Sequence, residues 1–232
     1  MRRLTWVVVL LALGAAMLAV GPAGADDDDG EDGVPKTWRV TITNLTPPGP
    51  GAPGSQPLSP PLFAIHSNKA DVWTVGAIAS HGVAAIAEDA NNSVLESALP
   101  QLSGVKTVFT GAGGPIPSGA SREFTVMTEG RFNRLSIVTM LVNTNDAFTG
   151  LDSLRLRGRG ETRSTDAYDA GSEANNERAS HIPGPCCNNP FVRAPEGQLI
   201  RHHDGILGVG DLSPALYDWN DPVARIAIER VS

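Results

Sequence analysis

The chain has 232 residues, with 18 Lys and Arg against 25 Asp and Glu, a formal net charge of −7, and aromatics at 5%. That balance is too acidic for a nucleic-acid footprint and too poor in bases for docking to anionic lipid, so neither partner is expected. The length suits one sizeable domain, and its fold must stand without a disulfide framework, because Cys186 and Cys187 are adjacent and cannot staple distant segments together.

At the N-terminus, Arg2 and Arg3 precede an apolar run from Leu4 to Val20, and Ala23-Gly24-Ala25 forms a small-x-small cleavage site. Residues 1–25 are therefore expected to be a secretory signal peptide, with an uncleaved anchor as the alternative. Its removal takes away two bases and no acid, moving the net charge from −7 to −9. No membrane span is expected after cleavage. The acids Asp26, Asp27, Asp28, Asp29, Glu31 and Asp32 repel one another, and residues 26–36 read as a disordered leader. The folded domain is expected over 37–232.

Trp38 to Asn44 alternates with period two and predicts a half-buried strand. The proline- and glycine-rich stretch 47–61 predicts a long surface loop, and Leu62 to His66 a short strand. From Gly76 to Ala90 the chain is alanine-rich, with Ile78, Val83, Ile86 and Ala87 on one helical face and Glu88 and Asp89 poorly placed for the helix dipole. Ser93 to Leu99 predicts a second helix, with Ser93 and Glu96 as a capping box and Pro100 as its stop.

Thereafter the pattern is β: Val105 to Thr110, Arg122 to Thr128, Leu135 to Val142, Leu151 to Leu156, Ile200 to His202 and Val223 to Val231. The long Gly- and Pro-rich link between the first two of these suits a looser crossover between neighbouring strands. Helical segments do not alternate with strands, which favours a mainly β fold: a two-sheet antiparallel β-sandwich with a short helical insertion.

The chemistry concentrates after the apolar strands. Asp146 follows Leu135 to Val142, and Asp169 and Glu173 lie in Tyr168-Asp169-Ala170-Gly171-Ser172-Glu173. Hard carboxylate oxygens in loops at one end of a sheet suit Ca²⁺, with Asn145, Glu177 and carbonyls near Ala170 as further oxygens. The competing readings are an Asx-type turn at Asn143-Thr144-Asn145-Asp146 and a solvated loop at Asp169 and Glu173. For the cysteines, a vicinal disulfide, an intermolecular bridge, a soft-metal site and free buried thiols all stand open.

His202, His203 and Asp204 raise a transition-metal reading, although adjacent strand residues face opposite ways. Tyr217, Trp219, Asp218 and Asp221 read as a turn packing an aromatic over the sandwich edge. No catalytic motif is present: Gly-x-Ser-x-Gly, His-Glu-x-x-His and a complete phosphate-cradling glycine loop are all missing.

Four segments in order carry a family resemblance: Trp38-Arg39-Val40-Thr41-Ile42-Thr43-Asn44-Leu45-Thr46, Pro60-Pro61-Leu62 with the helix bearing Glu88-Asp89, Leu135 to Val142 with the aspartate loop, and Tyr168 to Glu173 followed by Asp221-Pro222-Val223-Ala224-Arg225-Ile226. On these the chain resembles the spondin N-terminal (F-spondin) domain. The resemblance implies a C2-like antiparallel β-sandwich, secreted or cell-surface, with Ca²⁺ held by Asp146, Asp169 and Glu173. Animal members have aspartate where Glu173 stands and tryptophan where Ala147 stands; the first change keeps a carboxylate on a longer arm, the second removes an aromatic contact. Those members carry further domains, so their matrix and signalling roles are not expected to transfer.

The resulting expectation is a secreted, non-enzymatic, Ca²⁺-binding module that acts on an extracellular or cell-envelope protein or glycan. The alternative is an extracytoplasmic transition-metal-dependent enzyme using the His202/His203 region.

Overall fold

A computed structural model describes residues 33–49, 55–188 and 192–232. The expected signal peptide and nearly all of the acidic leader lie outside the described residues. Asp32–Ser232 forms one compact unit.

Among the described residues, ten strands make two antiparallel sheets. One has four strands: β1 (Lys36–Asn44), β4 (Ser121–Thr128), β7 (Gly160–Thr165) and β10 (Ala224–Arg230), in the order β4-β1-β10-β7. The other has six: β2 (Leu62–His66), β3 (Val105–Thr110), β5 (Arg134–Met140), β6 (Ala147–Arg155), β8 (Tyr168–Asp169) and β9 (Arg201–His202), in the order β3-β2-β5-β6-β8-β9. This is the mainly β, two-sheet architecture that the patterning predicts.

Alternation sets the inner face of the smaller sheet. In β1, Trp38, Val40 and Ile42 are fully buried, and they sit opposite Ile228 and Ile226 of β10 and Phe124 and Val126 of β4. These side chains meet Phe63, Ile65, Leu135, Ile137 and Leu151 of the larger sheet in the inter-sheet core. The larger sheet is covered on its other face as well. Leu62, Ala64, Val138 and Phe148 pack there against Val83, Ile86, Ala87 and Leu95 of helices α1 (His81–Asp89) and α2 (Asn92–Ala98). That double burial explains why β2 and β5 are apolar on both faces rather than alternating, with burial nearly unbroken along each.

Several expectations require correction. The helix expected from Gly76 begins only at His81, because the Ser80 side chain accepts the Val83 N–H and caps it, while Gly76 has φ of 85°. The second helix starts two residues earlier than a Ser93 cap allows: Asn91 takes the Ser93 N–H, and Glu96 accepts the Thr110 hydroxyl (2.9 Å) instead of closing a capping box. Ser55 to Ser59 are not surface loop but buried, with Leu58 bridging Ile116 and Leu141. Strands β3 and β4 are not neighbours; they belong to different sheets, and their link crosses the sandwich.

One buried polar pair links the neighbouring strands β1 and β4. The Trp38 indole N–H donates to Thr128 Oγ1 (2.8 Å). Thr128→Val keeps the shape but strands that donor, and should cost about 1–2 kcal/mol, read as a lower denaturant midpoint at unchanged slope.

Candidate metal centre

The turn between β5 and β6 is built by Asn143, Thr144, Asn145 and Asp146, all at most 2% exposed. Asn143 Nδ2 donates to the Ser55 carbonyl, and its Oδ1 accepts the Cys186 N–H. Thr144 Oγ1 donates to the Leu141 carbonyl and accepts the Ala147 N–H, closing the turn. Asn145 Oδ1 accepts the Glu177 N–H (3.3 Å). The local side-chain bonding therefore falls to Thr144, and Asp146 is released for long-range contacts.

Asp146 Oδ2 accepts the Ser172 N–H (2.8 Å), the Ser172 hydroxyl (3.2 Å) and the Glu173 N–H (2.9 Å). Its Oδ1 is buried with no hydrogen-bond partner. Burial first, and the Asp169 charge second, push its carboxyl up to about 7 despite those donors.

Asp169 ends β8. Its Oδ1 accepts the Gly171 N–H (2.6 Å), and its Oδ2 accepts Asn175 Nδ2 (2.7 Å) and pairs with Arg201 Nη2 (2.7 Å). Arg201 lies directly opposite Asp169 in the β8–β9 ladder, so the short strand pair itself supplies this counter-charge.

Glu173 is 1% exposed and neither of its carboxylate oxygens has a hydrogen-bond partner. Residues 171–174 run antiparallel to 194–198, with bonds from Ala174 N to Ala194 O, Glu196 N to Ser172 O and Gln198 N to Gly171 O. This pairing brings Arg193 Nε to 3.3 Å from Glu173 Oε1, an ion pair by distance but without hydrogen-bond alignment. The same guanidinium faces Glu88 (3.4 Å) and Asp89 at the end of α1. Burial is the main cause of the Glu173 carboxyl rising to about 7; Arg193 opposes it, while Glu88, Asp146 and Asp89 reinforce it.

Burial excludes the solvated-loop reading for Asp169 and Glu173, and the Asx-turn reading for Asp146 gives way to Thr144, which makes the turn's side-chain bonds. Asp146 and Glu173 fit a hard cation well: their unpartnered oxygens are all oxygen donors, and Asp89 Oδ1 is a further buried oxygen without a partner. Asp169 stands beside them with both oxygens engaged. Among the described residues, the three do not form a set whose ligand atoms all lie within 4.8 Å of one another. Glu177 is an organiser rather than an oxygen donor, since its carboxylate accepts the Leu207 (2.5 Å) and Val209 (2.8 Å) N–H groups.

The sequence marked Glu88 and Asp89 as misplaced acids and as part of the family resemblance, not as members of the site, and it did not mark Arg193. The signal was present: two acids in the last turn of a helix with no base in that turn oppose the macrodipole and call for a tertiary cation. Five carboxylates (Glu88, Asp89, Asp146, Asp169, Glu173) thus meet two guanidinium groups (Arg193, Arg201), leaving the cluster negative when ionised.

Gly171 is required where it stands: φ is 68°, and a Cβ would lie 2.5 Å from the Gln198 carbonyl oxygen. Gly171→Ala should lower stability by about 1 kcal/mol or more, whereas Gly197→Ala, which meets nothing within 4 Å, should leave the melting temperature within about a degree of the native value.

The histidine pair does not act as a unit. His203 is buried; its Nδ1 accepts the Gly205 N–H (3.0 Å) and its Nε2 faces Asn175 Oδ1 (3.2 Å), which fixes a neutral ring with no free lone pair. Burial lowers its pKa in the same sense. His202 points outward. Cys186 and Cys187 are bridged to each other in a turn whose Cys186 N–H reaches Asn143. Trp219 is buried against the His203 ring, with centroids 5.2 Å apart, as expected for an aromatic covering the sandwich edge.

Fold and site together define a β-sandwich module with a buried carboxylate cluster beside the β5–β6 turn. The chain belongs to the spondin N-terminal domain family: Spondin_N matches residues 53–175, a stretch that holds Glu88, Asp89, Asp146, Asp169 and Glu173. No curated protein matches the chain at a significant level. The family is a non-enzymatic, typically extracellular one. Among the described residues, no helix is long and apolar enough to cross a membrane.

Proposed function

We propose that this protein is a secreted, Ca²⁺-stabilised binding module in which Asp146 and Glu173 hold the ion, with Asp169 adding its negative charge beside them. The observation that carries the reading is the trio of buried carboxylate oxygens without donors, Asp146 Oδ1 and both oxygens of Glu173. Burying ionised carboxylates unpaired is costly, and a divalent cation removes both the desolvation penalty and the mutual repulsion. The ion would join the β5–β6 turn to the 171–174 segment, and through Glu173 and Arg193 to the end of α1. Loops fixed in this way present a rigid surface to an extracellular or cell-envelope protein or glycan. No catalytic role is assigned.

Calorimetric titration of chelator-treated protein with Ca²⁺ tests this directly. One equivalent should bind, and Glu173→Gln, which keeps the side-chain length but removes the charge, should weaken binding about tenfold or more. Equal affinity in the variant would remove Glu173 from the site.

A further inference from the structure

With His203 turned inward, its neighbour meets different partners. His202 lies opposite Tyr168 in the β8–β9 ladder, and the two rings pack with centroids 5.1 Å apart. His202 Nδ1 is 3.7 Å from Asp166 Oδ2. Asp221, from the segment before β10, completes a group: one ligand atom from each of Asp166, His202 and Asp221 lies within 4.8 Å of the other two.

Each of the three is held by a contact that does not involve the others. The Thr149 hydroxyl donates to the Asp166 carbonyl (2.8 Å) and pins the chain between β7 and β8. Asp221 Oδ1 accepts the Ala167 N–H (2.9 Å), which leaves Oδ2 free. The Tyr168 ring supports His202 from the side. The donors therefore come from three separate chain segments that the fold brings close together before any ion arrives.

We propose that Asp166, His202 and Asp221 form a second cation site, taking a divalent first-row transition metal of the Zn²⁺ class rather than Ca²⁺. Imidazole favours Zn²⁺, Cu²⁺ and Ni²⁺ over hard cations, and two carboxylates balance a double charge. Zn²⁺ bonds of about 2.0–2.2 Å place donors roughly 3.3 Å apart in a tetrahedral site, so the side chains must close by about an ångström. His202 and Asp221 are exposed and Asp166 is half-buried, so side-chain rotation can supply this closure. Three protein ligands leave the remaining position to water, the open arrangement of a site that can accept a donor from another molecule. The site shares no ligand with the Asp146 and Glu173 cluster, so it stands or falls independently of Ca²⁺ binding there.

The test is competition of the purified protein with a chromophoric zinc indicator in saturating Ca²⁺, for the native chain and for His202→Ala, Asp221→Asn and Asp146→Asn. Asp221→Asn retains the carbonyl oxygen that accepts the Ala167 N–H, so its fold is kept; circular dichroism and the melting temperature verify this for each variant. The expected result is one equivalent of Zn²⁺, bound about tenfold or more weakly by His202→Ala and by Asp221→Asn, and with unchanged affinity by Asp146→Asn. A d–d spectrum of four-coordinate Co²⁺ that disappears in His202→Ala would add support. Zn²⁺ binding that survives both ligand variants, is lost in Asp146→Asn, or is too weak to compete with the indicator would overturn the assignment.

Discussion

Thermal unfolding in millimolar Ca²⁺ should occur about 5–10 °C higher than in EGTA, and Asp146→Asn should abolish the difference. An ion that binds only the folded state at a hundredfold excess over its Kd adds roughly 2.7 kcal/mol. A domain of this size gains about 2–4 °C per kcal/mol. The variant also separates loss of the ion from loss of the fold. Asparagine can still accept the Ser172 and Glu173 N–H groups that Asp146 Oδ2 accepts, and it removes one of two carboxylates whose ionisation is opposed by burial. In EGTA it should therefore melt at or above the native protein. A native protein whose melting temperature ignores Ca²⁺ would sink the calcium reading while leaving the fold assignment intact.

Without metal, stability should fall as the pH rises from about 5 to 8, opposite to the usual gain as carboxylates ionise. The folded-state carboxyls of Asp146 and Glu173 sit at about 7, against model values of 3.8 and 4.5. Between those limits the native state binds more protons than the unfolded chain, so stability is fully present below the unfolded values and is lost as pH climbs through 7. Asp152 and Asp221 are raised in the same direction, each mainly by burial, and add to the slope. The total is on the order of a few kcal/mol. Ca²⁺ competes with those protons, so the melting curves with and without Ca²⁺ should diverge above pH 7 and converge near pH 5. A metal-free melting temperature that increases steadily from pH 5 to 8 would contradict two buried carboxyls held well above their ordinary values.

Much of the sandwich was legible because burial face is a local property. The alternation in Trp38, Val40 and Ile42, and in Ile226 and Ile228, identifies strands with one covered face, and the uninterrupted run at Leu135 to Val142 identifies one covered on both. Strand β7 was invisible for the same reason. Gly160–Thr165 lies at the edge of its sheet with only Thr165 buried, so its residues carry no apolar rhythm, and partnership with β10 alone makes it a strand.

For the candidate site, the sequence singled out Asp146, Asp169 and Glu173 from acids placed just beyond strands, and all three are buried beside one turn. Their different states could not be read there. Asp169 is neutralised by Arg201 through strand register, Glu173 faces Arg193 through a loop pairing, and Asp146 keeps a bare oxygen because its neighbour Thr144 satisfies the turn. Likewise, the two histidines look equivalent in the chain, yet the ladder sends His203 into hydrogen bonds inside and His202 out towards Asp166 and Asp221.

The sequence by itself determined the strands that bury an apolar face, which face each of those buries, and which acids stand near their ends, since these follow from residue type and spacing within a few positions. Tertiary structure alone decided which segments meet: that β3 and β4 lie in different sheets, that Glu88 and Asp89 share a guanidinium with Glu173, and that Asp166, His202 and Asp221 converge. The reason is physical. A carboxylate's partner is set by contacts between residues tens of positions apart, fixed by how the two sheets and the helical layer pack, and no local pattern of side chains encodes that distance.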